Sequence, residues 1–157
     1  MTQRSRPIPL SSLALPVAVL AIFPGSLPVF AKDRITGPVD AEIVRAIDGD
    51  TLEVRATIWI GQELTTHVRI RGIDAPEEHA RCSREKTMAD AATRKLAELA
   101  QGEVRLTNVE NDKYGGRVIA DVLMPDGTAV AAAMLSSGLV RPYDGGERQP
   151  WCEAASG

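Results

Sequence analysis

Between residues 39 and 73, apolar and polar positions alternate in three runs separated by turn signals. Val39 to Ile47 (VDAEIVRAI) reads as a strand, and Asp48-Gly49-Asp50 as the turn that ends it. Thr51 to Ile60 (TLEVRATIWI) is rich in β-branched and apolar residues, and Gly61-Gln62 turns the chain into a third run, Leu64 to Ile73. In that run Val68, Ile70 and Gly72 share one face and Arg69, Arg71 and Ile73 the other. Pro76 then stops the strand and holds Ala75 extended. Three strands joined by short turns form a meander, the start of a small barrel.

The period changes after Ser83, a plausible helix N-cap with Glu85 in the first turn. Met88, Ala91, Ala92, Leu96 and Leu99 recur at helical spacing, and Gly102 sits where a C-terminal cap belongs. Glu103 to Val109 and Arg117 to Met124 return to strand. A second helix, capped by Asp126 or Thr128, runs through Ser137 to a stop at Gly138. The tail, 139–157, carries Pro142, Gly145-Gly146 and Pro150 and reads as irregular. The order of elements predicts an α+β domain with a small β-barrel.

The first residues stand apart from this pattern. Arg4 and Arg6 precede an apolar stretch from Leu10 to Phe30, and Val29-Phe30-Ala31 supplies the small residues of a cleavage site. Residues 1–31 read as a secretory signal peptide, 32–38 as a linker and 39–157 as the domain. Prolines 16, 24 and 28 and the short apolar region count against a retained anchor. The expected location is secreted or periplasmic, with no stable membrane association after cleavage.

The chain has 157 residues, 44% hydrophobic and 25% charged, enough for one domain with a core. Aromatics at 4% argue against an extended base-stacking platform. Removing residues 1–31 takes away Arg4 and Arg6 and no acid, so the net charge moves from −3 to −5. That acidity argues against non-specific coating of a duplex but permits a small basic site. Cys82 and Cys152, an even pair in a chain expected to be exported, suggest one disulfide. In the chain-entropy model a loop of that length stabilises by roughly 4 kcal/mol. A thiol metal site would need the close Cys or His spacing that is missing here.

Candidate chemistry gathers at His67 to Glu77 (HVRIRGIDAPE). Two arginines, then Asp74 and Glu77, offer a cationic clamp, a metal carboxylate and a carboxylate able to act as a base. Hydrolysis of a phosphate ester needs those three parts. Asp48-Gly49-Asp50-Thr51 fails as an EF-hand loop, because Leu52, Glu53 and Trp59 occupy positions that need ligands or glycine. Asp50 and Asp74, at the ends of neighbouring strands, could nevertheless share one hard cation. Arg71 reads as a solvent-facing charge, Glu78 as an ordinary loop acid, and His67 and His79 as surface residues.

IDGDT at 47–51, VRIRGIDAPE at 68–77 and DKYGGR at 112–117 together resemble the three motifs of the staphylococcal nuclease (thermonuclease) family, in order and at similar spacing. The resemblance covers Val39 to Tyr143. It implies a five-stranded OB-fold barrel with two packed helices, and calcium-dependent cleavage of DNA and/or RNA; the chain itself is expected to be a monomer. By this resemblance Asp50 and Asp74 are the Ca2+ carboxylates, Ala75 ligates through its backbone carbonyl, and Asp48 and Thr51 support the ligands from behind. Glu77 resembles the general base on the attacking water. Arg69 and Arg117 match the arginines on the reacting phosphate, Lys113 and Tyr114 hold a terminal phosphate, and Tyr143 lies near a tyrosine of the nucleotide pocket. Cleavage of the 5′ P–O bond, leaving 3′-phosphate ends, is implied in the same way.

Two departures stand out. Gly115-Gly116 places one extra residue before Arg117, which keeps its aim only if the insertion is absorbed locally. The chain also ends soon after Cys152, without the family's long C-terminal helix, and the Cys82–Cys152 bridge would replace that helix by pinning the tail to the first helix. The alternative class is an exported OB-fold module that binds nucleic acid or protein without cutting. Such a module has no need for Asp50, Asp74, Glu77 and Arg69 together.

Overall fold

A computed structural model describes residues 33–80 and 82–152, so the expected signal peptide lies outside the described residues. In chain order the elements are β1 (Arg34–Ile35), β2 (Val39–Ala46), β3 (Thr51–Trp59), β4 (Gln62–Ile70), β5 (Ile73–Asp74), α1 (Ser83–Leu99), β6 (Glu103–Asn111), β7 (Arg117–Leu123), α2 (Val130–Ser136) and β8 (Arg141–Pro142). Strands β2, β3 and β4 form the antiparallel meander. β6 pairs antiparallel with β2 and with β7, and β7 closes the barrel by lying parallel to β4. The result is a closed five-stranded mixed barrel with two helices, in the α+β class and OB-like as expected. Among the described residues no helix is long and apolar enough to cross a membrane.

Period-two alternation fills the barrel. Leu52, Val54, Val68, Ile70, Leu106 and Val122 point inward and are almost wholly buried. Leu96 of α1 and Val130 and Met134 of α2 join the same cluster. The face of α1 differs from the expected one: Glu85, Ala89, Ala92 and Leu96 are buried, while Met88, Ala91 and Leu99 lie at its flanks. Small side chains are what bring the helix close. A Cβ added at Gly49 would stand 2.6 Å from the Ala92 Cβ and 2.7 Å from the Ala75 Cβ. The turn carrying Asp48 and Asp50 is thus seated directly on α1 and on the Asp74-Ala75 segment. The helix N-cap is Cys82 rather than Ser83, and it makes no side-chain capping bond.

The third strand ends at Ile70, three residues before the expected end. Gly72, at φ +86°, turns the chain, and Ile73-Asp74 starts a new pairing with Pro142 and Arg141. The tail is therefore not wholly irregular, and the stretch expected as a linker contributes β1 against Glu110 and Val109. The break also redirects Arg71, expected in solvent. Its guanidinium donates to the Asn108 carbonyl at 2.6 Å and approaches Asp121 at 3.3 Å.

Candidate active site

The β2–β3 turn is built to present Asp50 inward. The Asp50 backbone N–H donates to Asp48 Oδ1 at 2.9 Å, an Asx-type closure, and the Thr51 hydroxyl donates to Asp50 Oδ1 at 3.1 Å. The other Asp50 oxygen accepts the Ala75 N–H at 2.8 Å, which ties this turn to the segment after β4. Burial pushes the Asp48 carboxyl above its usual range, against the opposing pull of the Thr51 hydrogen bond and the Arg69 charge.

Arg69, near the end of β4, lies inside this arrangement rather than on the surface. It forms an ion pair with Asp50, donates to the Ile73 carbonyl at 3.1 Å and lies 3.8 Å from Asp74 Oδ1. Its guanidinium is held below its ordinary value by burial and by the neighbouring charges of Arg148 and Arg117. Three cationic heads therefore converge on one region of a chain that is acidic overall.

Asp74 is the most enclosed acid of the group, 1% exposed. The β5–β8 pairing sets Arg141 opposite it, and Arg141 donates to Asp74 Oδ2 through Nε at 3.1 Å and Nη2 at 2.9 Å. Trp151 Nε1 donates to the same oxygen at 3.2 Å, and its ring stacks on the Arg141 guanidinium at 4.1 Å. Arg148 Nε lies 3.0 Å from Asp74 Oδ1 but out of line for a hydrogen bond, and that buried oxygen accepts none among the described residues.

Glu77 is exposed and forms an ion pair with Arg148. It lines one recess with Lys113, Tyr114, Arg117, Tyr143 and Arg148. Arg117 opens β7, and the parallel register sets it beside His67, on the face of β4 that also carries Arg69. The extra glycine is taken up in the turn, where Gly116 adopts φ +79°, and Asp112 Oδ2 accepts from Arg117 Nε at 2.6 Å. Lys113 and Arg117 both face the Tyr114 ring, at 5.0 and 5.3 Å. Tyr143 donates its backbone N–H to Gly72 at 3.0 Å and its hydroxyl to Gly146 at 2.7 Å, with Arg69 and Arg148 each 6.0 Å from its ring. His79 borders the neighbouring recess around Asp74 and Arg141.

Sequence reasoning missed Arg141, Arg148 and Trp151. The signal that finds them is the position of Cys82, a few residues after Glu77: its disulfide to Cys152 brings the end of the chain to this face. Glu85, expected only as a first-turn acid, is buried there too. It accepts the Glu77 N–H at 3.4 Å and touches Cys152 Sγ at 3.1 Å, a contact without a proton because both sulfurs are in the disulfide.

The donor set suits a hard cation. Asp50 and Asp74 are buried carboxylates on adjoining segments, and Asp74 Oδ1 has no hydrogen bond to satisfy it. Among the described residues the cluster of Cys82, Glu85 and Cys152 offers no such site, since its sulfurs are bonded to each other.

Comparison with known proteins agrees with this architecture. A family model described as "Staphylococcal nuclease homologue" matches residues 67–153. A protein of Escherichia coli described as "Uncharacterized endonuclease" is 30% identical over 126 residues, spanning 80% of this chain and 71% of its own length. A protein of the same description from Escherichia coli O157:H7 matches to the same extent. With more than half its length inside the family model, the chain belongs to the staphylococcal nuclease homologue family.

Proposed function

We propose that this chain is a calcium-dependent nuclease that hydrolyses phosphodiester bonds in DNA and/or RNA. The observation that carries the reading is the convergence of Arg69, Arg117 and Glu77 beside two buried aspartates, within a net-acidic chain. Asp50, Asp74 and the Ala75 carbonyl would hold Ca2+, with Asp48 and Thr51 fixing Asp50 from behind. The ion supplies Lewis-acid neutralisation of the phosphate when bound.

A phosphodiester is already anionic, and attack by water adds charge to its oxygens. Arg69 and Arg117 each present several N–H donors to the non-bridging oxygens. Arg69 is kept beside the two aspartates by Asp50 and the Ile73 carbonyl before any substrate arrives, and its pair with Asp50 opens when Asp50 takes the ion and the guanidinium turns to the phosphate. Glu77 receives the proton of the attacking water, and its exposure leaves it within reach of one. Lys113 and Tyr114 receive a terminal phosphate, and Tyr143 the nucleotide. The apolar stretch within 1–31 and the Cys82–Cys152 disulfide support export, to the periplasm or beyond the cell.

The test is a gel of plasmid and single-stranded DNA incubated with the protein and calcium, beside the same reaction in chelator. Cleavage is expected only with calcium, and persistence in chelator would remove the metal from the reading. Glu77→Gln is expected to lower turnover by about 10²–10⁴ with the fold intact. Near-parent turnover in that variant would end the assignment of Glu77.

A further inference from the structure

The face around Asp74 and Glu77 holds two cations, Arg141 and Arg148, that the proposed chemistry leaves without a task. Arg148 comes from the tail, between Tyr143 and the disulfide at Cys152, and its guanidinium bridges two carboxylates, Asp74 and Glu77. The pair to Glu77 runs through Oε1 alone, so the guanidinium sits against the proposed base and covers one of its two acceptor oxygens. Arg148 differs here from Arg141. Arg141 is fixed by Asp74 through two nitrogens, by the Trp151 ring, and by the carbonyls of Gln149 and Pro150. Arg148 has side-chain exposure of 38% and borders the recess that Lys113 and Arg117 also line.

We propose that Arg148 is a further substrate-binding residue, a guanidinium that rests on Glu77 and Asp74 in the free protein and passes to a phosphate oxygen when a nucleic-acid strand enters. The inference rests on the nuclease reading and deepens it. Lys113, Arg117 and Arg148 line one recess with Glu77; Asp112 and Asp74 pair with Arg117 and Arg148, but neither acid lines the recess, so the surface offered to an anionic strand is mainly cationic. The guanidinium fork matches two phosphate oxygens as well as it matches a carboxylate, so the transfer exchanges like for like. Only side-chain rotation is needed, a fast motion for a half-exposed residue. When Arg148 leaves, both oxygens of Glu77 stand open to the attacking water at the moment the substrate is in place. The disulfide keeps the tail close enough for the exchange.

The experiment uses a fluorescein-labelled oligothymidylate and the full mature chain, with binding measured in chelator across a series of salt concentrations and cleavage measured separately with calcium. If Arg148 contacts phosphate, Arg148→Ala flattens the slope of log affinity against log salt by about 0.7. Arg148→Lys keeps the slope but binds more weakly than the parent, having lost the fork. Glu77→Gln frees the resting guanidinium, so it tightens binding about tenfold more in the Arg148 background than in the Arg148→Ala background. A parent that cleaves with calcium, together with an Arg148→Ala slope equal to the parent's, overturns the role of Arg148 alone. So does a Glu77→Gln effect that is the same in both backgrounds. A parent that neither binds nor cleaves overturns the nuclease reading, and this inference with it. Retention of the Cys82–Cys152 bond and of the melting temperature in each variant shows that the tail is still in place.

Discussion

Asp50 Oδ2 accepts the backbone N–H of Ala75 at 2.8 Å, so the turn after β2 is fastened to the residue that follows Asp74. One carboxylate thereby serves three donors: Ala75, Thr51 and Arg69. Asp50→Ala strands a buried guanidinium and a buried amide together. The expected loss is about 3 kcal/mol of stability, read as a lower urea midpoint with an unchanged slope. A loss below about 1 kcal/mol would mean that Arg69 finds full compensation at Asp74.

Gly49 stands where a side chain has no room. With Cβ contacts of 2.6 and 2.7 Å awaiting it from Ala92 and Ala75, Gly49→Ala has to push α1 away from the turn. Destabilisation of about 1–3 kcal/mol is expected; on the proposed calcium reading, titration calorimetry should also show weaker binding of the ion, because the same displacement moves Asp50 relative to Asp74. Unchanged stability would show that α1 shifts freely.

Asp48 gives a pH dependence with a definite sign. Its carboxyl is raised by burial, so the folded state holds that proton more tightly than the unfolded chain does. Below the ordinary value of 3.8 both states are protonated and nothing is lost. As pH rises above it, the folded state is asked to ionise a buried acid and this residue's contribution falls. Asp48→Asn, which can still accept the Asp50 N–H, should therefore match the parent at low pH and become the more stable protein as pH rises. Parallel stability curves for the two proteins across acid and neutral pH would contradict this.

The Cys82–Cys152 disulfide closes a loop with a sequence separation of 70. Replacing both cysteines with serine is expected to cost about 4 kcal/mol, seen as a lower melting temperature. Activity should fall as well at temperatures where the fold persists, because Arg141, Arg148 and Trp151 all reach the site from the tethered tail. A variant that melts lower but cleaves as fast as the parent would limit the bridge to stability.

The barrel strands were legible because each presents several turns of period-two alternation, as in Leu52, Val54 and Ala56. The β5 and β8 strands were not, since two residues carry no period. Helical spacing finds Ala92 and Leu96 on the buried face of α1 but sets Met88, Ala91 and Leu99 there in place of Glu85 and Ala89. Gly49 approaches α1 at Ala92, where only a small side chain leaves room for the turn. Asp50, Arg69, Asp74 and Glu77 could be named because they lie in short contiguous motifs. Arg148 could not, because it meets Glu77 across a separation of 71 residues that only the disulfide and the β5–β8 pairing bring together. Arg71 looked exposed by alternation alone, and the turn at Gly72 is what carries it to Asn108.

The parallel pairing of β4 with β7 also bears on the order in which the molecule assembles. Hairpins such as β3–β4 can form from neighbouring residues, but β7 reaches β4 only after α1 and β6 have been traversed. Contacts that distant in sequence are slow to form and tend to come late. Arg69 and Arg117 become neighbours only at that step, so an intermediate with the meander formed and the barrel open has Arg69 without Arg117 beside it. Competence would then arrive abruptly, with the final closure of the sheet.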